Sequence, residues 1–225
     1  MKRVGVFDVL GPIMIGPSSS HTAGAARLGK IARSIAGEDI AEVTFLLHGS
    51  FAKTYKGHGT DRALVAGILG MEPSDERLRS SMQIAKEKKI KFLFKEADLG
   101  DVHPNTVKFV MRTVNDKYCE VMGSSIGGGN INIIEVNDNE VDFSGTYETL
   151  IVTHKDEPGV IHSVTHALYS ENINIAFMKV FRHDKGQEAT MIFEMDNKLS
   201  DELIKKIKDI ELVHNVISIS PAVAG

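Results

Sequence analysis

The chain has 225 residues, of which 42% are hydrophobic and 25% charged, and its formal net charge is −4. This is ordinary globular composition, enough for one large or two modest domains, and it gives no electrostatic case for nucleic acid or an anionic membrane. A single cysteine, Cys119, excludes an internal disulfide and fits a reducing compartment, while no apolar run approaches the ~20 residues of a membrane span. Asp8 breaks the N-terminal apolar stretch and no small-residue cleavage site follows it, so the expected location is cytoplasmic.

The first helix signal follows Ser18-Ser19-Ser20-His21-Thr22. In AGAARLGKIARSIAG, Ala25, Leu28, Ile31, Ala32 and Ile35 recur at helical spacing, a serine caps the start and Gly37 stops the end. AEVTFLLHGS predicts a strand and YKGHGTD a polar, glycine-rich turn. RALVAGILG predicts a second helix and SDERLRSSMQIAKEKK a third, capped by Ser74. KIKFLFKEA, NTVKFVMRTV and YCEVMGSS read as strands, the last two joined as a hairpin across Asn115-Asp116-Lys117. GGGNINIIEV and EVDFSG add short strands. The rhythm changes near Tyr147, which divides the chain into expected domains 1–146 and 147–225. Beyond it, TLIVTH, VIHSVTHALYSEN, INIAFMKVFRH, EATMIFEMD, LSDELIKKIKDI (capped by Ser200) and VHNVISIS give the order βαββαβ of a ferredoxin-like domain. The fold class is therefore α+β: an N-terminal α/β domain with helices on a mostly antiparallel sheet, then the βαββαβ domain.

Chemistry-bearing residues cluster in the first domain. GPSSSHTAG sets hydroxyls and His21 before a helix, where free N–H groups and the helix dipole attract an anion, although one serine would suffice as a cap. HGSFAKTYKGHGTD adds His48, His58, Thr60 and Asp61 among glycines, HPNT adds His103 and Asn105, and SSIGGGNINI is glycine-rich after a strand. Histidine moves protons near neutral pH and glycine admits close approach to a ligand. No HExxH or cysteine-bearing metal pattern is present, and no helix follows the glycines as a dinucleotide site needs. Several such clusters in one domain point to a shared pocket.

In the second domain, the strand–KDEPG–helix opening and ENINI resemble the ACT family of amino-acid-binding regulatory modules over about Thr149 to Pro221. The resemblance implies effector contacts from Asp156, Gly159, Val160, Asn172 and Asn174, with His154 and Pro158 beside them. It also implies pairing of ACT domains, hence a homodimer, in keeping with the exposed sheet edge such a domain leaves. Serine, a monovalent cation on backbone carbonyls, or no ligand all remain open there.

A second resemblance rests on VFDVLGPIMIGPSSSHTAGAARLG, HGSFAKTYKGHGTDRALVAGILG, HPNT and SIGGGNI, from Val6 to Ile133. These strings resemble the β subunit of the iron–sulfur-dependent L-serine dehydratases. The resemblance implies a lyase that converts L-serine to pyruvate and ammonia together with an α subunit carrying a [4Fe–4S] cluster. Cys119 alone lacks the thiolates a cluster needs, so no metal ligand is expected in this chain, and activity is expected only with the partner. By motif, Ser18, Ser19, Ser20, Thr22 and Asn105 would bind substrate, and one of His21, His58 or His103 would be the base; which one is open. The same domain is similar to the allosteric substrate-binding domain of some phosphoglycerate dehydrogenases, which leaves a purely regulatory, amino-acid-sensing subunit as the alternative.

Overall fold

A computed structural model describes residues 14–182 and 184–221. The start of the serine-dehydratase-like string (6–13) and His183, at the end of an expected strand, lie outside the described residues. Two compact units divide between Asp138 and Asn139.

In the first unit a wide helical turn, Ser19–Gly24, with hydrogen bonds spanning five residues, leads into α1 (Ala25–Ala36). The apolar period of α1 is what buries it: Leu28, Ile31, Ala32 and Ile35 are at most 2% exposed, and Gly37, with φ +71°, ends the helix as the sequence predicts. Then come β1 (Ile40–Leu47), a one-turn helix α2 (Gly49–Thr54) and α3 (Thr60–Ile68). The expected third helix is shorter and later than its sequence pattern suggests. A 3₁₀ turn, Glu76–Ser80, precedes α4 (Ser81–Glu87), and the cap is Asp75, whose carboxylate accepts the Arg77 N–H, rather than Ser74.

The strands β2 (Lys91–Glu96), β3 (Thr106–Thr113), β4 (Tyr118–Gly127) and β5 (Asn130–Val136) follow. They hydrogen-bond in the order β2-β1-β3-β4-β5, with only β1 and β2 parallel. The hairpin across Asn115–Lys117 closes with Thr113 N–H on the Lys117 carbonyl. Helices α1 and α3 touch backbone to backbone: a Cβ on Gly67 would stand 2.2 Å from the Ala26 carbonyl oxygen. Phe45, Phe51, Phe109 and Met111 fill the space between helices and sheet. Toward the sheet's outer end the Lys108 ammonium lies among Glu120, Glu135 and Asp138, which raises it above the ordinary lysine range despite its burial.

The second unit begins with β6 (Asn139–Phe143) and continues β7 (Glu148–Lys155), α5 (Val160–Ser170), β8 (Ile175–Arg182), β9 (Glu188–Met195), α6 (Asp201–Lys208) and β10 (Val213–Ile219). From β7 onward this is the expected βαββαβ, in an antiparallel sheet of order β10-β7-β9-β8. Alternation divides the strands: Leu150, Val152, Met191, Phe193 and Met195 share a core with Val164, Leu168, Leu203 and Ile207 of the helices. Ser200 caps α6 through the Leu203 N–H, as the sequence predicts. The opposite face meets β6 and the turn after it. Ser144 donates from N–H and hydroxyl to Glu194, Lys179 pairs with Asp142, and Tyr147 sits edge-on to Phe177.

Candidate active site

The site is built at the start of α1. Ser18 is extended (φ −142°), so its hydroxyl turns back to accept the His21 N–H at 3.2 Å. The same hydroxyl lies 3.5 Å from His21 Nδ1, and the Ser50 hydroxyl lies 3.4 Å from Nε2. The imidazole is thus held between hydroxyls that can donate or accept, and it rests edge-on against Phe51. His58, from the KGHGTD turn, brings its ring to 4.8 Å from His21, centroid to centroid. Burial, and then the neighbouring His58, lower the pKa of His21 below its ordinary value of 6.5. At neutral pH His21 is therefore a free base.

A pocket of about 430 Å³ opens beside this pair, with His58 and Thr22 in its wall. Lys56, Arg62 and Arg79 line it as well, and among the described residues no carboxylate does. The Thr22 hydroxyl, 1% exposed, lacks a hydrogen-bond partner among the described residues, as do those of Thr60 and Ser125. An unsatisfied buried hydroxyl in the wall of a cationic pocket is suited to a polar, anionic ligand. At the adjoining helix start, Asp61 has its carboxyl raised by burial.

The HPNT loop supports this arrangement from behind. Its Pro104 carbonyl accepts N–H groups of Ser50 (2.8 Å) and Phe51 (3.3 Å), two of the residues that touch the His21 ring. The Asn105 carbonyl accepts from Ser125, whose hydroxyl lies where a Cβ on Gly24 would be. The Asn105 side-chain oxygen is buried without a partner among the described residues. His103 itself is exposed; its Nδ1 accepts the Asn105 N–H, and it makes none of the ring contacts of His21. His48 is a structural hydrogen-bonder: Nδ1 accepts the Leu99 N–H beside Asp98.

Of the residues expected at the site, the structure thus joins His21, His58, Ser18 and Thr22, keeps Ser19 and Ser20 half-buried in the same turn, and connects Asn105 through the backbone. Ser50, Ser125 and the cations join the site without a motif in the sequence that marks them. Lys56 opens KGHGTD and Arg62 follows it directly, whereas Arg79 arrives from a separate element.

In the second unit Asp156 is already engaged: its carboxylate accepts from Arg182 Nη1 (3.0 Å) and the Gly186 N–H (3.1 Å), which hold it below its ordinary range. Gly159 (φ +97°) caps α5 and Val160 is buried behind it. Asn172, in the left-handed region, and Asn174, bonded to Asp196, lie past the far end of that helix.

A histidine of lowered pKa beside a cationic pocket has the chemistry to exchange a proton with an anionic ligand, and the second unit has the βαββαβ order. Comparison with known proteins identifies the lineage. Residues 5–136 match the family model "Serine dehydratase beta chain" and residues 149–212 match "ACT domain". The chain is 43% identical to the "Probable L-serine dehydratase, beta chain" of Bacillus subtilis, over 98% of this chain and 100% of that one. It is 42% identical to the "L-serine dehydratase, beta chain" of Peptoniphilus asaccharolyticus, over 94% and 96%. Similarity to D-3-phosphoglycerate dehydrogenase of B. subtilis is 28%, over 83% of this chain and 35% of that one. The chain belongs to the serine dehydratase beta chain family and carries an ACT domain.

Proposed function

We propose that this chain is the β subunit of an L-serine dehydratase and supplies the proton-transfer side of the active site. The observation that carries the reading is the His21–His58 pair against the pocket of Lys56, Arg62 and Arg79. Arg62 and Arg79 hold the substrate carboxylate, with Thr22 as a hydroxyl partner. His58, in the pocket wall, removes the Cα proton. His21, held by Ser18 and Ser50, backs it, and Asn105 and His103 fix the loop behind Ser50. Loss of the Cα proton and the β-hydroxyl from L-serine gives an enamine, which becomes pyruvate and ammonia on tautomerisation and hydrolysis.

The residues of this chain do not fit a [4Fe–4S] cluster: Cys119 is the sole cysteine, 1% exposed, its thiol pushed up to about 11 by burial. In this reading the cluster belongs to an α subunit, the partner that the β-chain names of the relatives imply. The β8 edge exposes Phe177 on one face and Met178 and Val180 on the other, an apolar edge suited to pairing with a second ACT domain and hence to a homodimer. Among the described residues no helix is long and apolar enough to cross a membrane. The single cysteine of the sequence suits the reducing cytoplasm, where this reading puts the enzyme.

Pyruvate formation from L-serine under anaerobic conditions tests the reading. The chain alone should be inactive and the mixture with a cluster-bearing α subunit active. An inactive mixture with an intact cluster would refute it.

A further inference from the structure

The first helix of the second unit carries a side-chain pair that the catalytic reading leaves aside and the core does not need. Helix α5 buries Val160, Val164, Ala167 and Leu168, and its outer face presents His162, His166 and Tyr169. His162 and His166 are four residues apart, so they stand one above the other on that face. Their rings are 5.8 Å apart, centroid to centroid, with planes 19° from parallel. Both are exposed, and neither imidazole has a hydrogen bond or ion pair among the described residues.

Helix propensity does not account for the pair. Histidine forms helices less readily than the glutamate, lysine and arginine common on solvated helix faces. Between Val160 and Ser170 there is no Asp, Glu, Lys or Arg, so no ion pair supports this face and no cationic side chain of the helix repels a metal ion. Two imidazoles at this spacing are instead an arrangement that holds a transition metal, since such divalent ions prefer ring nitrogen. With a metal–nitrogen bond of about 2.0–2.1 Å, each ring centre stands about 3 Å from the ion, so two rings about 6 Å apart reach the same ion. Rotation about χ2, which is broad for an imidazole, turns a nitrogen of each ring toward it.

We propose that His162 and His166 chelate one divalent transition-metal ion, of the zinc, nickel or copper class, with water in its remaining positions. The ion ties one turn of α5 to the next, and because α5 packs on the core, binding stabilises the second unit. HSVTH keeps the two histidines of an HExxH helix and lacks its glutamate, so the ion is held without the general base of a metalloprotease. The proposal does not depend on the catalytic reading, because it concerns the second unit alone.

Equilibrium dialysis of the purified full chain against zinc chloride, without an α subunit, tests it. The chain has nine histidines, so the readout is the difference between the parent and the double variant His162→Gln/His166→Gln. The double variant should bind one zinc fewer per chain. Each single variant should weaken that equivalent about tenfold, since the second contact of a chelate forms at high effective concentration. His214→Gln, on β10, should leave it in place, and magnesium chloride should not fill it. Zinc should raise the melting temperature of the parent more than that of the double variant, and the two should melt together without metal. Equal zinc stoichiometry in parent and double variant overturns the proposal. So does parental affinity in both single variants, or loss of the equivalent through His214→Gln alone.

Discussion

His21 shows how a single side chain joins stability to chemistry. Its ring is held by Ser18 and Ser50, and burial together with His58 keeps it neutral in the fold. Because the folded pKa lies below the unfolded value of 6.5, the stability due to neutral His21 is fully present above that pH and is lost as pH falls through the folded pKa. His21→Asn should therefore show a smaller fall in melting temperature between about pH 7.5 and 5 than the parent, by calorimetry at matched ionic strength. An equal fall would show that the ring titrates as if unfolded. At this scale the site was half legible. SSSHT and KGHGTD declared themselves through residue types that capping and turns do not need. Ser50, Ser125 and Arg79 did not, since nothing local separates them from other serines and arginines; only the fold brings Ser50 to the His21 ring, Ser125 against Gly24 and Arg79 to the pocket.

Between elements, the determining contact for the pocket is the crossing of α1 and α3, which carry Thr22 and Arg62 on or beside their starts. The backbones meet at Gly29 and Gly67, with the hypothetical Gly67 Cβ 2.2 Å from one carbonyl oxygen and 2.7 Å from Gly29 Cα. Gly67→Ala must push the helices apart, at a cost of about 1–3 kcal/mol in urea unfolding, and should raise the KM for serine in the assembled enzyme. A neutral Gly67→Ala would mean that the helices separate without resistance. Element types and order were readable from apolar period and turn residues, down to the Gly37 stop and the Ser200 cap. The departures are short pieces. The α2 turn has too few residues to show a period, the wide turn at Ser19–Gly24 breaks the 3.6 spacing, and Ser74 and Asp75 are adjacent cap candidates of which Asp75 bonds the Arg77 N–H.

On the scale of the whole molecule, the chain pairs a serine dehydratase beta chain domain with an ACT domain, and membership in that family rests on the family model and on 43% and 42% identity to two β chains over nearly the full length. The compact units divide at Asp138/Asn139, whereas the βαββαβ pattern starts after Tyr147. The segment between them packs on the ACT sheet through Ser144–Glu194 and Tyr147–Phe177, contacts that a change in sequence rhythm does not announce. The central claim is that this chain brings the base to a reaction whose cluster lies elsewhere, and the turnover number of the assembled enzyme with His58→Ala tests it most directly. The account predicts a kcat about 100-fold below the parent, with α-subunit binding intact. Parental turnover in that variant would contradict it and leave the chain a regulatory role alone.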